Sequence, residues 1–164
     1  MIGNDIIDLR LARIESNWRR KGFLDKIFTK NEQISIQNSI NQDIMVWNLW
    51  SRKEASYKIY NRETGIRSFN PIQFECFGVD LKMGWVNFKN EQYFTKTQFS
   101  KHFIHTISVL KKSDLKKIKI LKKSTEITKE NNIPFYFNEK LNSLLPISKS
   151  HHGNFEKTIC LNNS

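Results

Sequence analysis

The chain has 164 residues, 38% of them hydrophobic, and its 27 Lys and Arg against 16 Asp and Glu leave a net charge of +11. This length predicts one domain, and an apolar share that includes twelve Phe, four Trp and four Tyr excludes a disordered chain. No apolar run approaches the roughly 18 residues of a membrane span, the first ten residues lack a signal-peptide core, and Cys76 and Cys160 form neither a CxxC pair nor a zinc spacing, so a soluble cytoplasmic protein without disulfide or structural metal is expected.

Taken in order, residues 1–8 predict a short strand running into a turn, with Gly3 permitting close backbone approach and Asp5 set among Ile2, Ile6 and Ile7. Ile14, Trp18, Phe23, Leu24, Ile27 and Phe28 recur at loose helical spacing interrupted at Gly22, and Thr29-Lys30-Asn31-Glu32 reads as a capping box opening a second short helix. Residues 44–62 contain no Gly or Pro and carry Val46, Leu49, Trp50, Tyr57 and Ile59, which predicts the longest helix of the chain. Beyond Pro71 the pattern turns to short strands at 72–77, 85–88, 93–99 and 103–110, an antiparallel sheet. Residues 111–131 hold ten Lys or Glu and predict an exposed connection or edge element. From 133 to 161, strand-like patches flank a short helical stretch expected at 138–144, with a last strand at 155–161. The fold class expected is α+β, one long helix packed on an antiparallel sheet.

Three constellations carry residues suited to chemistry. The first is Asp5 at the end of the apolar opening strand; an Asp capping the following turn reads the same way, although Asp8 fits that role better. The second is Trp50-Ser51-Arg52-Lys53-Glu54-Ala55-Ser56-Tyr57-Lys58 on the long helix. Glu54 and Lys58 are i,i+4 and make an ordinary helix ion pair by spacing alone, whereas Trp47 and Trp50 nearby suggest a carboxylate in an apolar cleft. The third is Ser148-Lys149-Ser150-His151-His152-Gly153, a set of phosphate-binding types that a polar turn before a strand would equally display.

Together these three resemble the 4′-phosphopantetheinyl transferase superfamily, with its G-x-D motif, its W/F-[S/T/A]-x-K-E-A-x-x-K helix and its S-x-S/T-H segment. The early position of Asp5, followed by Phe23-Leu24-Asp25-Lys26-Ile27-Phe28-Thr29 and then Glu54, is similar to the small holo-acyl-carrier-protein synthase branch. The resemblance covers roughly residues 1–75 and 133–161. It implies a single phosphopantetheinyl-transferase-like domain over residues 1–164, with about 76–131 an extra β-rich segment similar to the hairpin region of the larger surfactin-type enzymes. Where those enzymes carry a second acid two residues after the first, this chain has Ile7.

The resemblance implies transfer of the phosphopantetheine arm of coenzyme A to a serine of an apo acyl or peptidyl carrier protein, releasing 3′,5′-ADP. Mg²⁺ would rest on Asp5 and Glu54, Lys58 would lie over the phosphoryl group, and Glu54 or a metal-bound water would accept the serine proton. Ser148, Ser150 and His151 would meet the adenine and 3′-phosphate end, Thr64 and Gly65 would form a phosphate-side loop, and Arg10 and Arg13 would dock the acidic carrier. The trimer of the small branch becomes uncertain for a chain with the extra segment, which either replaces or decorates a subunit contact. The competing reading is a basic nucleic-acid-binding module without catalytic activity, suited to the charge but leaving Asp5 and Glu54 unexplained; a family member that has lost activity is a third.

Overall fold

The computed structural model describes residues 1–78, 80–122, 125–130 and 133–162. Strand β1 (Ile2–Asp8) is buried along nearly its whole length. It runs directly into helix α1 (Leu9–Glu15), because the Asp8 carboxylate accepts from the N–H groups of Arg10 and Leu11 as its N-cap. The helical spacing over 14–28 is therefore split. Helix α2 (Phe23–Ile27) starts only after Gly22, whose φ of 79° makes the left-handed turn that ends the intervening loop, and Ile14 is 73% exposed. Helix α3 (Lys30–Gln37) carries the capping box in full: Thr29 Oγ1 accepts from the Glu32 N–H, and the Glu32 carboxylate accepts from the Thr29 N–H.

Helix α4 (Gln42–Thr64) is capped by the Asn41 side chain and closed by Gly65 at φ 72°. Strands β2 (Glu75–Gly78), β3 (Met83–Phe88), β4 (Glu91–Phe99) and β5 (Phe103–Val109) follow, the first delayed by a 3-10 turn at Pro71–Gln73. With β1 they form an antiparallel sheet in the order β1-β5-β4-β3-β2. Between α4 and this sheet lies the main core, which includes Ile7, Val46, Leu49, Ile59, Phe74, Val86, Tyr93 and Ile104. Gly3 marks the closest approach: a Cβ there would run into the carbonyl oxygen of Ala55, so strand and helix backbones are in contact.

A second antiparallel sheet, in the order β6-β10-β9-β8-β7, comprises β6 (Ile118–Ile120), β7 (Thr128–Glu130), β8 (Ile133–Asn138), β9 (Ser143–His152) and β10 (Phe155–Leu161). The helix expected at 138–144 is instead the turn of the β8–β9 hairpin, where Asn138 Oδ1 accepts from the N–H groups of Lys140 and Leu141 and Asn142 takes φ 46°. Residues 148–152 belong to β9 rather than to a polar turn. The chain reverses at Gly153, φ 54°. The charged stretch 111–131 is partly an edge element, through β6 and β7, and its residues 123, 124 and 131 lie outside the described residues. Ile2, Val109, Leu115 and Ile159 form a second core joining the two sheets. Among the described residues no helix is long and apolar enough to cross a membrane, and both cysteines are free and buried.

Candidate active site

Asp5 on β1 and Glu54 on α4 line one pocket of about 340 Å³, walled by Trp47, Trp50 and Phe23 and reached from β9 by His151 and His152. Desolvation in this pocket, together with the nearby Asp5 charge, pushes the Glu54 carboxyl up to about 7 against an opposing pull from Lys58. Burial likewise raises Asp5, opposed by Lys58 and by a hydrogen bond from Ser150. The Lys58 ammonium donates to the Asn4 carbonyl at 2.7 Å and to Asp5 Oδ1 at 3.3 Å. Its ion pair among the described residues is thus with Asp5, not with Glu54 one turn earlier. Asp5 caps no helix; that role belongs to Asp8.

The residues on either side of Glu54 have their own fixed positions. Lys53 is fully buried and donates to Glu32 Oε2 at 2.8 Å, to the Phe74 carbonyl at 2.7 Å and to the Pro71 carbonyl at 3.0 Å. Glu32 also accepts from the Cys76 N–H at 2.7 Å, so one ion pair ties α3, α4 and the start of β2 together. Arg52, also buried, donates to Asn48 Oδ1 and to the carbonyls of Asp80 and Leu81. Sequence reasoning gave neither residue a role, since the partners are remote in the chain.

Strand β9 meets the outer edge of β1 through alternate side chains. Ser148 Oγ accepts from the Asn4 N–H at 2.9 Å, Ser150 Oγ from the Ile6 N–H at 3.1 Å, and His152 Nδ1 from the Asp8 N–H at 2.8 Å. Both serines are buried, with their hydroxyls engaged inside the fold. The intervening residues turn the other way: His151 lines the acidic pocket, and Lys149 lines a second cleft of about 290 Å³ with Lys58, Arg62, Gly65 and Arg67. Thr64 does not line this cleft; its hydroxyl donates to the Tyr60 carbonyl and accepts from the Ile66 N–H, closing α4. Arg62 and Arg67 were not singled out from the sequence, although Glu54, Lys58 and Arg62 recur at i, i+4 and i+8 on one helical stripe. Arg10 and Arg13 stand exposed on α1, whose Ala12 forms part of the pocket wall.

Among the described residues no cluster of three or more His, Cys, Asp or Glu is suited to a metal ion. A cation here would meet two carboxylates. Both line the same pocket and burial raises the proton affinity of each, a donor pair whose chemistry fits Mg²⁺ when phosphate oxygens and water complete its shell.

Comparisons with known proteins bear on the family and the fold. Over 85 residues the chain is 36% identical to a holo-acyl-carrier-protein synthase of Fusobacterium nucleatum, an alignment covering 52% of this chain and 66% of that protein. The fold is similar to an apo-ACPS structure from Chronobacterium ammoiniagenes, with TM-score 0.53 at 13% identity over 66% of this chain and 93% of that one. It is also similar to the holo-acyl-carrier-protein synthase of Thermotoga maritima, with TM-score 0.53 at 15% identity over 79% of this chain and 77% of that one. The sequence profile of one family matches residues 1–127, and on that match the chain belongs to the 4′-phosphopantetheinyl transferase superfamily.

Proposed function

We propose that the protein transfers the phosphopantetheine arm of coenzyme A to a serine hydroxyl of an acidic apo carrier protein in the cytoplasm, with Mg²⁺ as the required cation. The observation that carries this reading is the desolvated pair Asp5 and Glu54, set beside Lys58 between an apolar pocket and a cleft of cations. The serine oxygen forms a bond to the phosphorus bearing the pantetheine arm, the pyrophosphate bond to the nucleotide breaks, and 3′,5′-ADP leaves. Mg²⁺ held by Asp5 and Glu54 would supply neutralisation of the pyrophosphate charge.

The chain's own residues provide the rest. Lys58 places a point charge at the entrance to the basic cleft, where the leaving nucleotide accumulates negative charge. Arg62, Arg67 and Lys149, with Gly65, suit the phosphate-rich end of coenzyme A, and His151 borders the reacting pocket. Glu54, or a water beside it, lies in the pocket where the serine would react and suits the role of acceptor of its proton. Arg10 and Arg13, exposed beside the pocket, suit the docking of an acidic carrier.

The test is an intact-mass assay of several apo carrier proteins with coenzyme A and Mg²⁺, each run with and without EDTA. A Mg²⁺-dependent gain equal to one phosphopantetheine arm is expected. A protein that binds coenzyme A yet modifies no carrier at any Mg²⁺ concentration would refute the assignment. The competing reading, a basic nucleic-acid-binding module, gives the Asp5 and Glu54 pair no role.

A further inference from the structure

We propose that Ser150 is a positioning residue for Asp5: strand β9 fixes the orientation of this carboxylate through a buried hydroxyl. The inference rests on the reading of Asp5 as a cation ligand. Strand β1 is the edge of the first sheet, and its N–H groups at Asn4, Ile6 and Asp8 point away from β5. Buried N–H groups need acceptors. Over 147–152 strand β9 pairs by its main chain with β10, whereas β8 takes only 143–146, and the hydrogen bonds to β1 come from the β9 side chains. Because both strands repeat every two residues, positions 148, 150 and 152 fall opposite 4, 6 and 8, and the three contacts form in register at 2.9, 3.1 and 2.8 Å.

Ser150 does one thing more than Ser148. Its oxygen accepts from Ile6, and its hydroxyl donates to Asp5 Oδ1 at 3.1 Å. The acceptor contact fixes where that oxygen sits, so the proton has one productive direction, toward Asp5. Lys58 donates to the same Oδ1, which leaves Oδ2 as the oxygen available to a cation. Rotation of a carboxylate about its last torsion is soft and roughly two-fold. Holding one oxygen with two donors removes that freedom and orients the other. Ser148 is equally buried and makes the same kind of contact to β1 without touching Asp5, so it serves as an internal control.

The experiment measures Mn²⁺ binding by electron paramagnetic resonance in the presence of coenzyme A, for the wild type, Ser150→Ala and Ser148→Ala. Thermal unfolding and the KM for coenzyme A at saturating Mn²⁺ are recorded alongside. Ser150→Ala is expected to weaken Mn²⁺ binding about 10-fold, the lower end for loss of a group that orients a metal ligand, with KM changed less than about twofold. Both alanine variants lose similar thermal stability, and only Ser150→Ala binds Mn²⁺ more weakly. Equal Mn²⁺ affinity in Ser150→Ala and wild type overturns the proposal, as does a raised KM with Mn²⁺ binding intact, which would make Ser150 a nucleotide contact. A wild type that binds coenzyme A but no Mn²⁺ refutes the cation reading itself and the inference with it. If Ser150→Ala does not fold, Ser150→Cys, close in volume and a weak donor, carries the same comparison with a smaller loss.

Discussion

Replacing Glu54 by Gln separates the demands of the site from those of the fold. Burial and the Asp5 charge raise the Glu54 carboxyl from 4.5 to about 7 in the folded protein. The folded state therefore holds a proton that the unfolded chain has released between those two values, and stability must fall as pH rises through that window. At about 1.36 kcal/mol per pH unit the difference amounts to about 3 kcal/mol by pH 8, less whatever residual solvation of this partly exposed side chain recovers. Gln keeps the shape and carries no charge to desolvate. Urea denaturation in EDTA is expected to give matched stabilities for wild type and Glu54→Gln at pH 4.5, with the variant more stable by about 2–3 kcal/mol at pH 8. Carrier modification is abolished throughout. A Glu54→Gln protein that gains nothing on going to pH 8 would show the carboxylate to be hydrated, and one that loses stability there would restore the ordinary Glu54–Lys58 helix ion pair.

Three further perturbations probe the surroundings. Lys53→Met leaves Glu32 as an uncompensated buried charge and is expected to cost about 3–5 kcal/mol in urea denaturation at pH 7, with part returned by adding Glu32→Gln; an unchanged midpoint would deny the pair its structural role. Gly3→Ala drives a methyl group into the Ala55 carbonyl oxygen, a backbone atom that cannot swing aside, so a loss of about 1–3 kcal/mol is expected together with lower kcat as β1 and α4 part; wild-type stability would contradict the close approach. Arg67→Ala combined with Lys149→Ala is expected to raise the KM for coenzyme A with little change in kcat, and the reverse split would remove the basic cleft from nucleotide binding.

The elements legible in the sequence were those specified by neighbours in the chain. The apolar run of β1, the Thr29–Glu32 capping box and the uninterrupted α4 each depend on residues within a few positions, and each is present close to its expected bounds. The misread segments failed locally as well. The interruption at Gly22 is present as expected, but α1 at Leu9–Glu15 was not foreseen, and the polar run after Asn138 is a hairpin turn because the Asn138 side chain takes the N–H groups a helix would have used. Asp5, Glu54 and Lys58 stood out through their place in motifs resembling the family's, since spacing alone reads Glu54 and Lys58 as an ordinary helix ion pair. The role of the hydroxyls at 148 and 150 did not, because their partners Asn4 and Ile6 lie 144 positions away in the chain. Lys53 was hidden for the same reason, its acceptors coming from Glu32, Pro71 and Phe74.

The two structural periods explain how one short helix segment and one strand carry both the fold and its chemistry. On α4, successive residues diverge by about 100°, so Lys53 enters the core toward α3 while Glu54 enters the pocket, and Lys58 and Arg62 continue the Glu54 stripe toward the basic cleft. On β9 the side chains alternate: Ser148, Ser150 and His152 hold the edge of β1, while Lys149 and His151 line the two cavities, the acidic one shared with His152. A helical residue and its neighbour, or a strand residue and its neighbour, therefore serve different ends: one ties elements of the fold together, the other faces a cavity. The raised Glu54 carboxyl is the consequence. Glu54 stands on the pocket side of α4, where burial and the neighbouring Asp5 charge disfavour its ionised form against the opposing pull of Lys58.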